Sequence, residues 1–437
     1  MKKCLTIILC LALCFSTIGV AAPKALAAAP DPASFEGREL NVWLLKSFSE
    51  DANNLLAARF EEFGEENGVS VNVELYSSAD MGQKFSAAVE ADQLPDIYMT
   101  QQVSSYPFLD TGVFSDMSDF IDEIEAESGE FLIKSQCYVD GKAILVPFYN
   151  SIQMMFYRTD LLEQAGYTEP PATWEEARQI AKDVTEKTGV YGLGVGCGVD
   201  EDGEGVLNYM LWGNGGGIFM DGAPQAVGNE KLKEVLTNYV DMYNEDKSIP
   251  ESAITWDESG NNTAYLAGQV AIVFNTTTLI NALKGEGLEE INENTGVAPI
   301  PAGTEGRFLP GSNVGFVICN TDNTDVADAA LRTVYDLDWY NQYIELVAPV
   351  CAPALKECLN NPVWSEGVNK TIMDCVVYKT NYWSNPDYSL RGMRIGTDIY
   401  NQKLLCQTAQ KMIADGVTVD KALESLQVEL DKINSNY

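Results

Sequence analysis

The sequence predicts an α/β protein of two domains, and three observations carry that prediction. Strand-like and helix-like segments alternate from residue 39 onward, the order of a parallel sheet with crossover helices. At 437 residues the chain is too long for a single hydrophobic core. Strand-like segments recur late, at 269–274 and 311–319. They are too few to make a domain of their own and are expected to complete sheets begun earlier.

The N-terminus reads as an export signal. Lys2 and Lys3 precede an apolar run from Leu5 to Ala22, and Ala25-Leu26-Ala27 supplies the small residues that a signal peptidase reads. Residues 1–27 are therefore expected to be removed and the chain to be exported, periplasmic or at the cell surface. The apolar run is barely long enough to span a membrane, and no second run of spanning length follows. Lipid attachment at a cysteine needs a small residue before it, but Cys10 follows Leu9 and Cys14 follows Leu13.

The first elements follow in order. ELNVWLL (39–45) reads as a buried strand, 52–68 as a helix ending near Gly68, VSVNVEL (69–75) as a strand and 81–92 as a helix. Pro95-Asp96 then leads into a strand at 97–99. Asp140-Gly141 between two apolar runs signals a hairpin. Tyr149 to Tyr157 is apolar and strand-like. Thr173 with Glu176 makes a capping box that starts the helix WEEARQIAKDVTEKTG. The glycine-rich stretches 192–198 and 213–217 do not fit GxGxxG, so they are expected to serve turns and close backbone approach rather than phosphate binding. Residues 232–246 form an amphipathic helix, 296–301 an extended connector, and helical patterns dominate after Val326.

Composition removes several function classes. Lys and Arg number 28 against 64 Asp and Glu, a net charge of −36. That balance argues against nucleic acid, anionic membrane surfaces and strongly anionic ligands. Histidine is absent, which removes the usual general base and the commonest metal ligand. The cysteines beyond the signal segment, 137, 197, 319, 351, 358, 375 and 406, are odd in number and show no CxxC spacing. They read as buried free thiols, with Cys351–Cys358 the pair that an oxidising exterior would permit. DEDGEG (200–205) lacks the Glu that a twelve-residue calcium loop requires at its end, where Leu211 stands. No GxSxG, HExxH or comparable catalytic signature occurs, so no enzyme activity, metal or other cofactor is expected.

Several stretches together resemble the carbohydrate class of extracellular solute-binding proteins, the family that includes maltose-binding protein. They are the Trp43 strand, LPDIYM (94–99), KAILVPFYNSIQMMFYRTDLLEQAGYTEPPATWEEA (142–177), Ala267-Gly268-Gln269-Val270-Ala271, VAPIPAG (297–303) and GVTVDKALESLQVELDKI near the end. The 142–177 block is the most specific. The resemblance implies the type II periplasmic-binding-protein-like fold, two α/β lobes joined by three crossovers, here near 147–151, 297–300 and 335–340. The first lobe would comprise 38–148 with 298–336, and the second 150–297 with 337–437. The chain departs from the family at Arg158, where Asn is usual, and at Asn275-Thr-Thr-Thr, where several sugar binders carry Trp. The second departure counts against a maltodextrin-type ligand.

Sugar recognition needs flat apolar faces for the ring and amides or carboxylates for its hydroxyls. In open α/β sheets ligands bind at the carboxyl ends of strands. The polar candidates at such ends are Lys46, Ser47, Asp80, Thr100, Gln101, Asn150, Ser151, Asn275, Thr276, Ser312 and Asn313. Each also has an ordinary reading as a cap or turn residue. The aromatic candidates are Trp212, Trp256, Tyr382 and Trp383, with Arg391 close by; Trp43 and Trp174 read as core. The expected function is reversible capture of a mono- or oligosaccharide by lobe closure and delivery to the permease subunits of an ABC transporter, by a monomer that binds no nucleic acid. The alternatives are the same fold holding an amino acid, polyamine or phosphate ester, and a secreted glycosidase.

Overall fold

The computed structural model describes residues 35–437 apart from 221, 311, 377–378 and 382–388. The signal segment expected at 1–27 lies outside the described residues. The chain opens with β1 (Glu39–Leu45), α1 (Glu50–Asn67), β2 (Ser70–Tyr76), α2 (Ser78–Ala91) and β3 (Ile97–Gln101). Leu40, Val42 and Leu44 alternate into the core, as a strand period of two requires. A hairpin pairs 138–139 with 142–143 around Asp140 and Gly141, at φ 50° and 78°, the two positive angles of a tight hairpin turn.

The apolar stretch Tyr149–Tyr157 is not one strand but two. β4 (Val146–Ser151) belongs to one sheet and β5 (Gln153–Arg158) to another, with only Ile152 between them. Next come α3 (Trp174–Thr188), with its Thr173–Glu176 capping box formed, then β6 (Tyr191–Gly194) and α4 (Glu201–Gly213). Gly192 is where α3 and β6 touch: a Cβ there would lie 1.9 Å from the Ala181 carbonyl oxygen. α5 (Glu230–Asn244), α6 (Gly260–Leu266), β7 (Val270–Thr276) and β8 (Thr295–Ala298) follow. The last part holds β9 (Ser312–Ile318), α7 (Thr324–Thr333), α8 (Leu337–Val347), β10 (Ala352–Pro353), α9 (Leu390–Asn401), α10 (Leu404–Asp415) and α11 (Val419–Asn434).

The first sheet has six strands in the order β10-β4-β9-β3-β1-β2, and the second has four in the order β8-β5-β7-β6. β9, read from the late strand at 311–319, inserts between β3 and β4 and runs antiparallel to both. Residues 337–354 also stay with the first sheet, which corrects the expected return to the second lobe at 335–340. α8 packs on α1 and aims Tyr340 and Tyr343 at Phe148 of β4, with ring centroids 5.4 and 4.8 Å away. Tyr340 donates to the Phe148 carbonyl and accepts from the Ala354 amide at 2.8 Å, and β10 extends the sheet beside β4. The aromatic face of α8 finds its apolar partner on the first sheet, and that decides its place. α10 and α11 pack on α4 and α5 beside the second sheet.

Cys137, Cys197, Cys319, Cys351, Cys358 and Cys406 are buried free thiols, so the Cys351–Cys358 pair is not formed. Among the described residues no helix is long and apolar enough to cross a membrane.

Candidate functional site

The registers fix where the two sheets face each other. β1, β2 and β3 are parallel, and β9, antiparallel to β3, pairs in turn antiparallel with β4. The carboxyl ends of β1, β2, β3 and β4 and the start of β9 therefore share one edge. In the second sheet Gln153, which opens β5, pairs with Thr276, which closes β7, and β6 runs parallel to β7. Since β4 passes into β5 through Ile152 alone, the carboxyl ends of both sheets meet at this seam.

The first sheet brings most of the expected residues to the seam. Lys46 and Ser47 follow β1, and the Lys46 amide donates to the Tyr76 carbonyl at 2.9 Å. Asp80 sits exposed in the first turn of α2 and accepts from the Ser77 hydroxyl at 2.7 Å. Thr100 is buried beside Tyr98, and Gln101 closes β3. Asn150 pairs across the sheet with Asn313, and Ser151 with Ser312. Asn150 donates to the Pro353 carbonyl at 3.2 Å, while its Oδ1 is buried and accepts from no group among the described residues.

The second sheet contributes through its loops and helix starts. Asn275 is buried and donates to Asn262 Oδ1, and the Thr276 and Thr278 hydroxyls lie 2.6 Å apart. Asn261 donates to Asp202 at 2.8 Å and to the Phe274 carbonyl at 3.3 Å. Trp256 is half-buried, its indole N–H on the Ser252 hydroxyl at 3.2 Å. A Cβ on Gly260, the first residue of α6, would stand 2.4 Å from Trp256 Cβ, so the ring lies over that helix start only because glycine is there. Sequence reading missed Gln153, Asp202, Asn261 and Asn262. Asn261 and Asn262 were legible in TWDESGNN, but only the antiparallel return of α6 onto β7 puts them beside Asn275.

Not every candidate joins this group. Trp212 is 1% exposed in the core of α4, tilted on Tyr209 at 6.2 Å, because the apolar face of that helix turns inward; the expectation of a stacking role for it is corrected. Arg391 lies on α9 with its guanidinium on Asn434 Oδ1 at 2.6 Å, held to the end of α11. Tyr382 and Trp383 lie outside the described residues. Trp174, Trp339 and Trp364 are buried. Arg158 forms a fork with Asp160 at 2.8 and 2.6 Å at the end of β5 remote from the seam.

Among the described residues, Lys403 reaches Glu201 at 3.6 Å, Lys134 pairs with Glu125, and Lys46 stands exposed after β1. Asp200, whose side chain caps α4, is held up at about 6 by burial. Asp202 is held up at about 7 by burial and by Asp200 beside it. Glu201–Gly213 is helix, and among the described residues no group of three or more His, Cys, Asp or Glu side chains gathers as metal ligands. A separate cavity of about 1090 Å³ lies between α3, α4 and α5, but its cations Arg178 and Lys182 are turned onto Asp246 at 2.5 and 3.5 Å.

The model of the bacterial extracellular solute-binding proteins matches residues 48–336, well over half of the chain. The chain belongs to that family. Among relatives, a lactose-binding protein of Rhizobium radiobacter is 26% identical over 289 residues, covering 62% of this chain and 65% of that protein, a little under two thirds of its length. A diacetylchitobiose binding protein of Streptomyces coelicolor is 27% identical over 154 residues, 35% of this chain and 36% of that one. Solved structures share the fold across nearly the whole chain. The sugar-binding protein MalE of Xanthomonas citri superposes with a TM-score of 0.76 at 18% identity, covering 91% of this chain and 98% of that one. Maltose-bound MalE3 of T. maritima does so at 0.69 and 19%, covering 90% and 100%. The fold is thus the two-lobed type II periplasmic-binding architecture that these family members share.

Proposed function

We propose that this chain captures a neutral mono- or oligosaccharide at the seam between its two sheets and delivers it to the permease of an ABC importer, without turnover. One observation carries the reading. The carboxyl ends of both sheets converge on a seam lined by amides and hydroxyls (Asn150, Gln153, Asn262, Asn275, Thr276 and Thr278) with Trp256 at its second-lobe side. Amides donate and accept, which suits hydroxyls that do both. Asn150 Oδ1 and Gln153 Oε1 are buried acceptors without a donor among the described residues. A sugar hydroxyl would offset the cost of about 1–3 kcal/mol that such an orphan carries. The net charge of −36 disfavours phosphate esters. Two relatives named for lactose and diacetylchitobiose binding, and one from Deinococcus radiodurans named a probable ABC transporter-binding protein, support the same class.

The test is a thermal-shift screen against mono- and oligosaccharides, followed by calorimetry on the hits. A saccharide at a hundred times its Kd should stabilise the protein by about 2.7 kcal/mol and be recovered unhydrolysed. Heat with an amino acid, a polyamine or a phosphate ester but with no saccharide would refute the reading. Hydrolysis of the bound sugar would make the protein a glycosidase instead.

A further inference from the structure

Phe48 is 76% exposed, on the turn that joins β1 to α1. Its neighbours on both sides are held. The Ser47 amide donates to Asn53 Oδ1 at 2.8 Å, and Asn53 Nδ2 donates to the Ser47 carbonyl at 3.3 Å. Ser49 caps α1 by accepting from the Ala52 amide at 3.2 Å. A turn fixed in this way still leaves an aromatic ring in water, although burying a Phe side chain is worth about 1.5–3 kcal/mol. The turn lies at the carboxyl end of β1, on the edge that also carries Lys46, Gln101, Ser151 and Asn313. Across the seam, the second sheet supplies hydrogen-bonding groups and a half-buried Trp256.

We propose that Phe48 is a stacking platform that sets the ligand class. It selects saccharides with a pyranose ring, whose axial and equatorial C–H groups form a flat apolar patch, over acyclic polyols and small charged solutes. This deepens the saccharide reading and rests on it. The first lobe supplies the apolar face and a rim of polar groups, and the second supplies the amides that hold the outward hydroxyls. Phe48 acts by contact with the ligand, and because it is mostly exposed its removal should leave the fold intact.

The experiment compares wild type, Phe48→Ala, Phe48→Leu and Phe48→Tyr by calorimetry. The probes are lactose, maltose, cellobiose and N,N′-diacetylchitobiose, with ribitol and sorbitol as acyclic controls. The melting temperature of each variant without ligand is measured alongside. Phe48→Ala should weaken the disaccharide that wild type binds by tenfold or more, the change expected when a buried ring is lost. Phe48→Tyr should stay within about threefold, since it keeps the aromatic face. Phe48→Leu should fall between them, and melting temperatures should not move. Wild-type affinity in Phe48→Ala, or full recovery in Phe48→Leu, would overturn the stacking role while leaving saccharide capture standing. Wild type that binds ribitol or sorbitol as tightly as any disaccharide would overturn the pyranose selection. Wild type that binds no saccharide at all would take down the functional reading and this inference with it.

Discussion

Replacing Glu204 with Gln should flatten the pH dependence of stability between pH 5 and 8. The Glu204 carboxyl is 0% exposed on α4 and accepts from the Leu405 amide at 3.3 Å and the Cys406 amide at 2.8 Å, in the first turn of α10. Burial pushes its pKa up to about 8, against the pull of those two amides and of Lys403, while Asp200 adds to the rise. The unfolded value is 4.5. A folded value raised above the unfolded one gives stability that is complete below pH 4.5 and drains away as pH rises through 8. Each unit is worth about 1.36 kcal/mol, so the whole loss is on the order of 4–5 kcal/mol. Asp200, at about 6, and Asp202, at about 7, act in the same direction, but most of their loss is over by pH 7. Between pH 7 and 8 Glu204 is therefore the main contributor among these three. Gln has the same shape and removes the titration; its NH2 replaces one of the two accepting oxygens, a cost that does not vary with pH and so leaves the slope as the readout. Urea unfolding at pH 5, 6, 7 and 8 would read the slope for both proteins. General repulsion among the acidic side chains is common to both and cancels in the difference. Parallel slopes would refute the claim that Glu204 is neutral in the folded protein at pH 7.

Trp212→Ala should cost about 3–5 kcal/mol of stability, as the loss of a fully buried aromatic does, and lower the melting temperature. Trp256→Ala, at a half-exposed ring, should instead leave the melting temperature nearly unchanged and weaken saccharide binding; the reverse pattern would show that the two rings have been assigned the wrong way round. Gly192→Ala forces a methyl into the Ala181 carbonyl and should destabilise by about 1–3 kcal/mol or more, read from the urea midpoint; an unchanged midpoint would mean that α3 and β6 part without cost.

Local chemistry was enough to read the elements. The period of two at 39–45, the capping box at Thr173 and the Asp140-Gly141 turn each name their structure within a few residues, because the forces that make them act over a few residues. The 142–177 block and its companions marked the family, and many of the expected polar residues do lie at strand ends that share the seam. Sequence alone did not show that Tyr149–Tyr157 divides between two sheets, since an apolar run has the same pattern whichever sheet receives each half. Nor did it show that Trp212 is covered while Trp256 is half-open, because both stand beside glycine or polar residues and only helix orientation separates them. The destination of α8 was equally hidden. Its buried face of Trp339, Tyr340, Tyr343, Ile344 and Val347 would suit either lobe by composition, and Phe148, nearly two hundred positions earlier, decided between them. What the sequence determined by itself was therefore most of the elements and the family, through contacts between near neighbours. What only the tertiary structure decided was which distant surfaces bury one another, and so which side chains line the seam.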